Sequence, residues 1–253
     1  MIFDTVKSSF NELEKLKFSL QIWNEHWYPK ICEFLDIDDN EDLKSLQQII
    51  QFHPSNYSEI KLRNMLEEKL VYAIAPGIHL EEDFSEYLEN HAKASDILIS
   101  ADGATSFLIS QGIIPNFIVT DLDGIIGDQL TAQLKGSIPI VHVHGDNLDA
   151  VKANITQISK GFFIISTQTT PLPGSFNFFG FTDGDRIICL STLMSASKIG
   201  LIGFDFGTKI GKYSKMSELN KEAKERKLKK FTIAKSIINW CSNTGQDIFL
   251  VKK

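Results

Sequence analysis

Cysteine is scarce in this sequence: Cys32, Cys189 and Cys241 are far apart and odd in number. They suit neither a disulfide framework nor a structural zinc cluster, which need paired or closely spaced thiols, and a reducing cytoplasm is the simplest setting. Long apolar runs are missing too. No stretch reaches the roughly 20 residues that span a bilayer, and residues 1–30 lack the basic-then-apolar order of a signal peptide. The chain therefore reads as soluble, with no membrane partner. Nor is there an excess of positive charge: 26 Lys and Arg against 32 Asp and Glu give a net charge of −6. That disfavours a nucleic-acid partner, whose binding depends on a basic surface displacing counterions. An anionic small molecule stays compatible if a metal ion or a local lysine cluster offsets the global field. What is present is ordinary globular material, 253 residues at 43% hydrophobic and 23% charged.

Two regions differ in pattern. Residues 1–69 read as a small helical region: Phe10, Leu13, Leu16 and Leu20, and then Leu43, Leu46 and Ile50, recur at three- and four-residue steps. Pro54-Ser55-Asn56 reads as a turn into a further helix. Residues 70–253 read as an α/β catalytic domain. Short apolar runs begin at Leu70, Asp96, Asn116, Ile138, Phe162, Lys198 and Asp247, and amphipathic segments separate most of them. This predicts βαβ units and a mainly parallel sheet with flanking helices. A long helix is expected from about Ser217 to Ser242. Ligands of such sheets bind beyond the carboxyl ends of the strands.

Read at those ends, the sequence repeatedly sets aspartate beside glycine: Ala101-Asp-Gly-Ala104, Thr120-Asp-Leu-Asp-Gly124, His142-Val-His-Gly-Asp-Asn147, Thr182-Asp-Gly-Asp-Arg186 and Gly203-Phe-Asp-Phe-Gly207. One such aspartate is commonplace and often caps a helix. Several on one sheet edge repel each other unless cations neutralise them. Hard oxygen ligands of this kind suit Mg²⁺ or Mn²⁺, held by one or two carboxylates and substrate phosphates. Asp121 and Asp123, two apart, would share a face of an extended backbone. Asp146 and Asn147 are candidates for metal and substrate contact. His142 and His144 with Asp146 make a weak zinc set, lacking a third soft ligand. Lys209, Lys212, Tyr213, Ser214 and Lys215 form a glycine-flanked loop able to close over a polyphosphate. Lys224 and Lys227 on the long helix are within plausible reach of the ligand. Phe176, Phe178, Phe179 and Phe181 read mostly as core.

With these motifs assembled, the stretch from about Leu70 onward resembles the archaeal-type 6-hydroxymethyl-7,8-dihydropterin diphosphokinases, which are related to thiamine diphosphokinases. Ile114-Pro-Asn-Phe-Ile-Val-Thr-Asp-Leu-Asp-Gly124 and Gly180-Phe-Thr-Asp-Gly-Asp-Arg186 carry much of the likeness. One departure is the turn Ala75-Pro76-Gly77-Ile78-His79, where similar proteins carry a Gly-Pro-Ser-like sequence. The resemblance implies a thiamine-diphosphokinase-like core and transfer of diphosphate from ATP, with Mg²⁺, to a pterin alcohol. AMP is released, and the product serves folate or methanopterin-type biosynthesis. On this reading Asp121, Asp123 and Asp146 hold the metal. Asp102, Asn147, Asp183, Asp185 and Asp205 contact the pterin, while Arg186, Lys209, Lys212, Ser214 and Lys215 bind the ATP phosphates. Thiamine remains an alternative acceptor, and the oligomeric state is open, a homo-oligomer included.

Two other enzyme classes use similar motifs. A haloacid-dehalogenase-type phosphatase needs Thr where Ile125 stands, and its motif opens the domain, whereas two expected strands precede it here. A glycosyltransferase-like enzyme would use an Asp-x-Asp pair for metal and a nucleotide-sugar. A third reading, a nucleotide-binding protein without catalysis, would bind ATP and release no AMP.

Overall fold

A computed structural model describes residues 10–206, 211–214 and 221–252. The N-terminal stretch begins with a 3-10 turn at Leu13–Lys15. The helical spacing from Phe10 to Leu20 does not produce one continuous helix, because Leu16 is extended (ψ 159°). Carbonyl groups there are satisfied from elsewhere: Trp240 Nε1 donates to Leu16 O at 2.8 Å and Asn243 Nδ2 to Glu14 O at 3.0 Å. Helix α1 (Leu20–Ile22) then runs through a π-helical turn, Trp23–Trp27, into α2 (Tyr28–Leu35). Next come α3 (Asp39–Ile50) and α4 (Glu59–Leu66). Their starts follow from sequence: Asp38 and Ser58 accept hydrogen bonds from Asn40 N and Lys61 N, satisfying amides that the helix itself leaves open.

The strands are β1 (Leu70–Ile74), β2 (Ile97–Ala101), β3 (Phe117–Thr120), β4 (Ile138–His142), β5 (Ile164–Ser166), β6 (Lys198–Ile202) and β7 (Asp247–Leu250). Between them lie α5 (Leu80–Asn90), α6 (Ala104–Ser110), α7 (Ile126–Leu134), α8 (Leu148–Ile158), α9 (Asp183–Leu193) and α10 (Lys221–Ser242). The strands form one seven-stranded sheet in the order β5-β4-β3-β2-β1-β6-β7, and every strand pairing within it is parallel. The chain steps outward from β1 to β5, then returns to lay β6 on the other side of β1. That reversal opens a crevice at the carboxyl ends of the central strands.

Both faces of the sheet are covered, which explains why its strands are apolar throughout rather than alternating with polar residues. Val71, Ala73, Ile99 and Val119 face a cluster with α9, α10 and the N-terminal aromatics Phe10, Trp23 and Trp27. Tyr72 and Ile74 face α5 and α6. The N-terminal helical region thus shares its hydrophobic cluster with the sheet. Trp240 of α10 lies 5.1 Å from Trp27 and 5.7 Å from Phe179, ring to ring. Burying an aromatic of this size stabilises the fold by roughly 1.5–3 kcal/mol. Phe178, Phe179 and Phe181 belong to the same cluster. Among the described residues no helix is long and apolar enough to cross a membrane.

Candidate functional site

The loops that follow β1, β2, β3, β4 and β6 meet at one end of the sheet around a cavity of about 580 Å³. Asp102 follows β2 directly, in a left-handed backbone conformation (φ 33°) that a non-glycine residue adopts only under local constraint. Its Oδ1 accepts from Thr120 Oγ1 at 2.6 Å and from Gln129 Nε2 at 2.8 Å. These bonds tie the β2 end to the β3 end and aim the carboxylate at the following turn.

That turn differs from the extended pair expected at Asp121 and Asp123. The strand stops at Thr120 and Leu122 is left-handed (φ 65°), so the two aspartates do not share a strand face. They converge through a tight turn, in which Leu122 N donates to Thr120 Oγ1 at 2.9 Å and Asp123 N to Asp121 Oδ1 at 3.3 Å. Oxygens of Asp102, Asp121 and Asp123 lie within 4.8 Å of one another. The third carboxylate of the cluster is therefore Asp102. Asp146 lines the cavity but lies outside this group, because its short 3-10 turn is held by His144 Nδ1, which accepts from Asp146 N at 3.2 Å.

Asn147 has a structural task in that turn. Its amide donates to Asp121 O at 2.9 Å and His142 O at 2.7 Å and accepts from His144 N at 3.0 Å. With those partners it is buried and braces the Asp121 turn rather than facing the cavity. His142 is a core residue, bonded to Ser166 Oγ at 3.1 Å, and burial holds its ring neutral by lowering its pKa. His144, by contrast, places Nε2 3.8 Å from Asp121 Oδ2.

The Thr182–Arg186 segment does not follow a strand directly: β5 ends at Ser166, and the loop 167–182 leads to the amino end of α9. Asp185 closes a capping box with Thr182 and also accepts from Phe181 N at 2.6 Å and Thr182 N at 2.8 Å. Its hydrogen-bond partners, Phe181 and Thr182, stand at the helix start, so it shapes the loop and does not line the cavity. Asp183 and Arg186 do line it, and Arg186 Nη1 pairs with Asp183 Oδ1 at 3.1 Å. Asp205 lines it as well, with Oδ2 accepting from His79 N at 2.8 Å.

Helix α10 supplies Arg226, Lys227 and Lys230 to the wall, of which sequence reading singled out only Lys227. A 3.6-residue period brings positions 223, 226, 227 and 230 to one face, a signal that was legible within the basic run. Lys227 Nζ donates to Ser214 Oγ at 2.7 Å, which draws Ser214 to the cavity rim. Lys212 points elsewhere: it pairs with exposed Glu81 and lies outside the lining. Lys209 and Lys215 lie outside the described residues. Another part of the wall comes from the N-terminal region, through Asp36, Ile37, Asp38, Glu41 and Asp42. Nothing in their local sequence connects them with the strand-end aspartates, the first of which, Asp102, stands 60 residues beyond Asp42.

Charge in the cavity is balanced unevenly. Burial, with the neighbouring Asp121 and Asp123 charges, pushes the Asp102 carboxyl up to about 7, against the pull of the Thr120 hydrogen bond. Burial would also raise Asp121, but the contact with His144 and the charges of His144, Arg186 and Lys230 outweigh it and hold that carboxyl well below its usual range. Asp183 is raised by burial and by the Asp121 charge, with Arg186 opposing. Carboxylates crowded in this way gain from a shared cation.

A family model described as 6-hydroxymethylpterin diphosphokinase MptE-like matches residues 40–211. The chain belongs to this family. Curated relatives of this 6-hydroxymethylpterin diphosphokinase-like chain cover it nearly end to end. A 6-hydroxymethyl-7,8-dihydropterin pyrophosphokinase of Pyrococcus furiosus is 36% identical over 88% of this chain and 95% of its own length. Proteins of the same description from Methanocaldococcus jannaschii and Methanothermobacter thermautotrophicus are 32% and 31% identical, each over 89% of this chain and at least 96% of their own. The family match begins at residue 40, inside the helical region, in keeping with the part that Glu41 and Asp42 take in the cavity wall.

Proposed function

We propose that the chain is an ATP- and Mg²⁺-dependent 6-hydroxymethyl-7,8-dihydropterin diphosphokinase. The observation that carries this reading is the meeting, in one cavity, of the Asp102, Asp121 and Asp123 cluster with the cations Arg186, Lys227 and Lys230. Family membership and the relatives' shared description support the choice of acceptor.

The residues fit a magnesium ion. Three converging carboxylates are the hard oxygen donors such an ion takes, and the Asp102 pKa is raised by burial first and by the Asp121 and Asp123 charges after it, both of which a bound cation would offset. When bound, the ion would neutralise phosphate oxygens and hold them in register with the acceptor. Asp121 and Asp123 are the residues to hold it, with Asp102 beside them and Asp146 within the same wall.

In the reaction, the pterin hydroxyl oxygen forms a bond to the β-phosphorus of ATP while the bond from that phosphorus to the α,β-bridging oxygen breaks. AMP leaves with the bridging oxygen, and the hydroxyl proton passes to water. Transfers of this type depend on positioning and electrostatics more than on a strong base. Arg186, Lys227 and Lys230 serve the second need by countering charge on the transferred group and on AMP. The turn of Asp121–Gly124, braced by Asn147 and Thr120, serves the first. The product is an activated pterin, suited to a synthase that builds a pterin-type one-carbon carrier.

The test is incubation with ATP, Mg²⁺ and 6-hydroxymethyl-7,8-dihydropterin, followed by chromatography of nucleotides. AMP formation dependent on the pterin is the expected result. Turnover with thiamine instead would reassign the acceptor, and ADP in place of AMP would end the diphosphokinase reading.

A further inference from the structure

Asp42 lies on α3, 60 residues before Asp102, the first of the strand-end aspartates of the cavity, yet it is buried to 2% exposure at the cavity wall. Three donors converge on its carboxylate. Tyr28 Oη reaches Oδ2 at 2.5 Å, Gln168 Nε2 reaches the same oxygen at 2.6 Å, and Gly145 N reaches Oδ1 at 2.7 Å. The other end of the Gln168 amide faces the active cavity: its Oε1 accepts from Arg186 Nη2 at 3.2 Å. Arg186 in turn pairs with Asp183. Gln168 itself is buried, and Trp23 Nε1 fixes its backbone by donating to Gln168 O at 2.7 Å.

The polarity of this chain is set at Asp42. A carboxylate receiving three donors can only accept, so the amide must turn its NH₂ toward Asp42 and thus its oxygen toward the guanidinium. Were the amide reversed, its NH₂ would face the N–H groups of Arg186 and its oxygen would face the Asp42 carboxylate, donor against donor at one end and acceptor against acceptor at the other. An unsatisfied buried polar group costs about 1–3 kcal/mol, so the orientation is strongly held. We propose that Asp42 is a positioning residue of the active site, acting through Gln168 to hold Arg186 against Asp183 and the transferred phosphates. This rests on the diphosphokinase reading, with Arg186 as its phosphate-facing cation.

The isosteric Asp42→Asn change separates this role from packing. The new amide must present its NH₂ either to Gly145 N–H or to Gln168 Nε2, so a donor meets a donor in each orientation. Relief by reversal of Gln168 carries the mismatch to Arg186. The matching change, Gln168→Glu, supplies an acceptor on both sides. In the Asp42→Asn background it receives the new NH₂ and keeps an oxygen on Arg186. In the wild-type background it sets two carboxylates together.

The experiment is a four-variant cycle: wild type, Asp42→Asn, Gln168→Glu and the double variant, read by steady-state kcat and KM for ATP, with melting temperatures in parallel. Each single change is expected to lower kcat about ten-fold, a loss of about 1.4 kcal/mol in transition-state stabilisation, and the double variant is expected to recover to within about three-fold of wild type. Losses that multiply in the double variant, or an Asp42→Asn enzyme with wild-type kcat, would overturn the relay. If Asp42→Asn does not fold, Gln168→Leu takes its place: it must lower kcat similarly, and unchanged kcat refutes the proposal. Wild-type protein that makes no AMP would refute the diphosphokinase reading instead, an outcome distinct from all of these.

Discussion

Gly124 and Asp102 approach so closely that a methyl group on Gly124 would stand 2.4 Å from Asp102 Oδ2. The residue after the Asp121-Leu122-Asp123 turn must therefore lack a side chain for the three carboxylates to converge. Gly124→Ala is expected to displace Asp102 and destabilise the fold by about 1–3 kcal/mol, the usual range for overpacking. Affinity for Mg²⁺, measured by calorimetry, should fall with it. Unchanged metal affinity in a folded Gly124→Ala protein would show that the contact is relaxed at no consequence to the site.

Asp123 is the most exposed member of the cluster and stands at the end of a tight turn in which its backbone N–H donates to Asp121 Oδ1. Asp123→Asn removes one negative charge and keeps the shape. Diphosphate transfer should drop on the order of 100-fold, as for loss of one preorganised charge-stabilising group, with little change in melting temperature. Near-normal AMP production would take Asp123 out of the site.

The raised pKa of Asp102 has a sign that can be measured. Its ordinary value is 3.8, and in the folded chain it is about 7. Between those values the folded state holds a proton that the unfolded state has released, so stability contributed by this group falls as pH rises through that window. In chelator, Asp102→Asn lacks the effect. Its melting temperature relative to wild type should climb from pH 4 to pH 7 and then level off. A flat difference across that range would contradict the assignment.

Asp185 caps α9 from inside the fold and satisfies the amides of Phe181 and Thr182. Asp185→Ala would leave both buried or half-buried donors unpartnered, and should cost about 2–3 kcal/mol. Denaturant unfolding is the measurement. A loss under 0.5 kcal/mol would mean that water replaces the cap.

Lys230 and Lys212 make a contrasting pair. Lys230 lines the cavity and contributes to the depressed Asp121 pKa, whereas Lys212 is tied to Glu81 outside it. Lys230→Ala should raise KM for ATP about ten-fold, near 1.4 kcal/mol. Lys212→Ala should alter it less than about two-fold. The reverse order would move the phosphate path toward the Tyr213 loop.

The primary sequence by itself determined the layout of strands and helices, because a parallel sheet covered on both faces demands short, wholly apolar runs separated by amphipathic ones. All seven runs became strands, and the aspartate-glycine motifs that stand after them reach one end of the sheet. Local chemistry made those features readable: period, glycine and short-range spacing. Only the tertiary structure decided which carboxylates meet. Asp121 and Asp123 converge by a turn that no extended spacing describes, Asp102 joins them through hydrogen bonds from Thr120 and Gln129, and Asp185 and Asn147 are drawn into caps and braces. The same holds for Asp42 and Gln168, 126 residues apart. Their contact depends on α3 packing beside the β4 loop, a long-range arrangement whose energy comes from burial of the whole N-terminal region and has no signature in the neighbours of either residue.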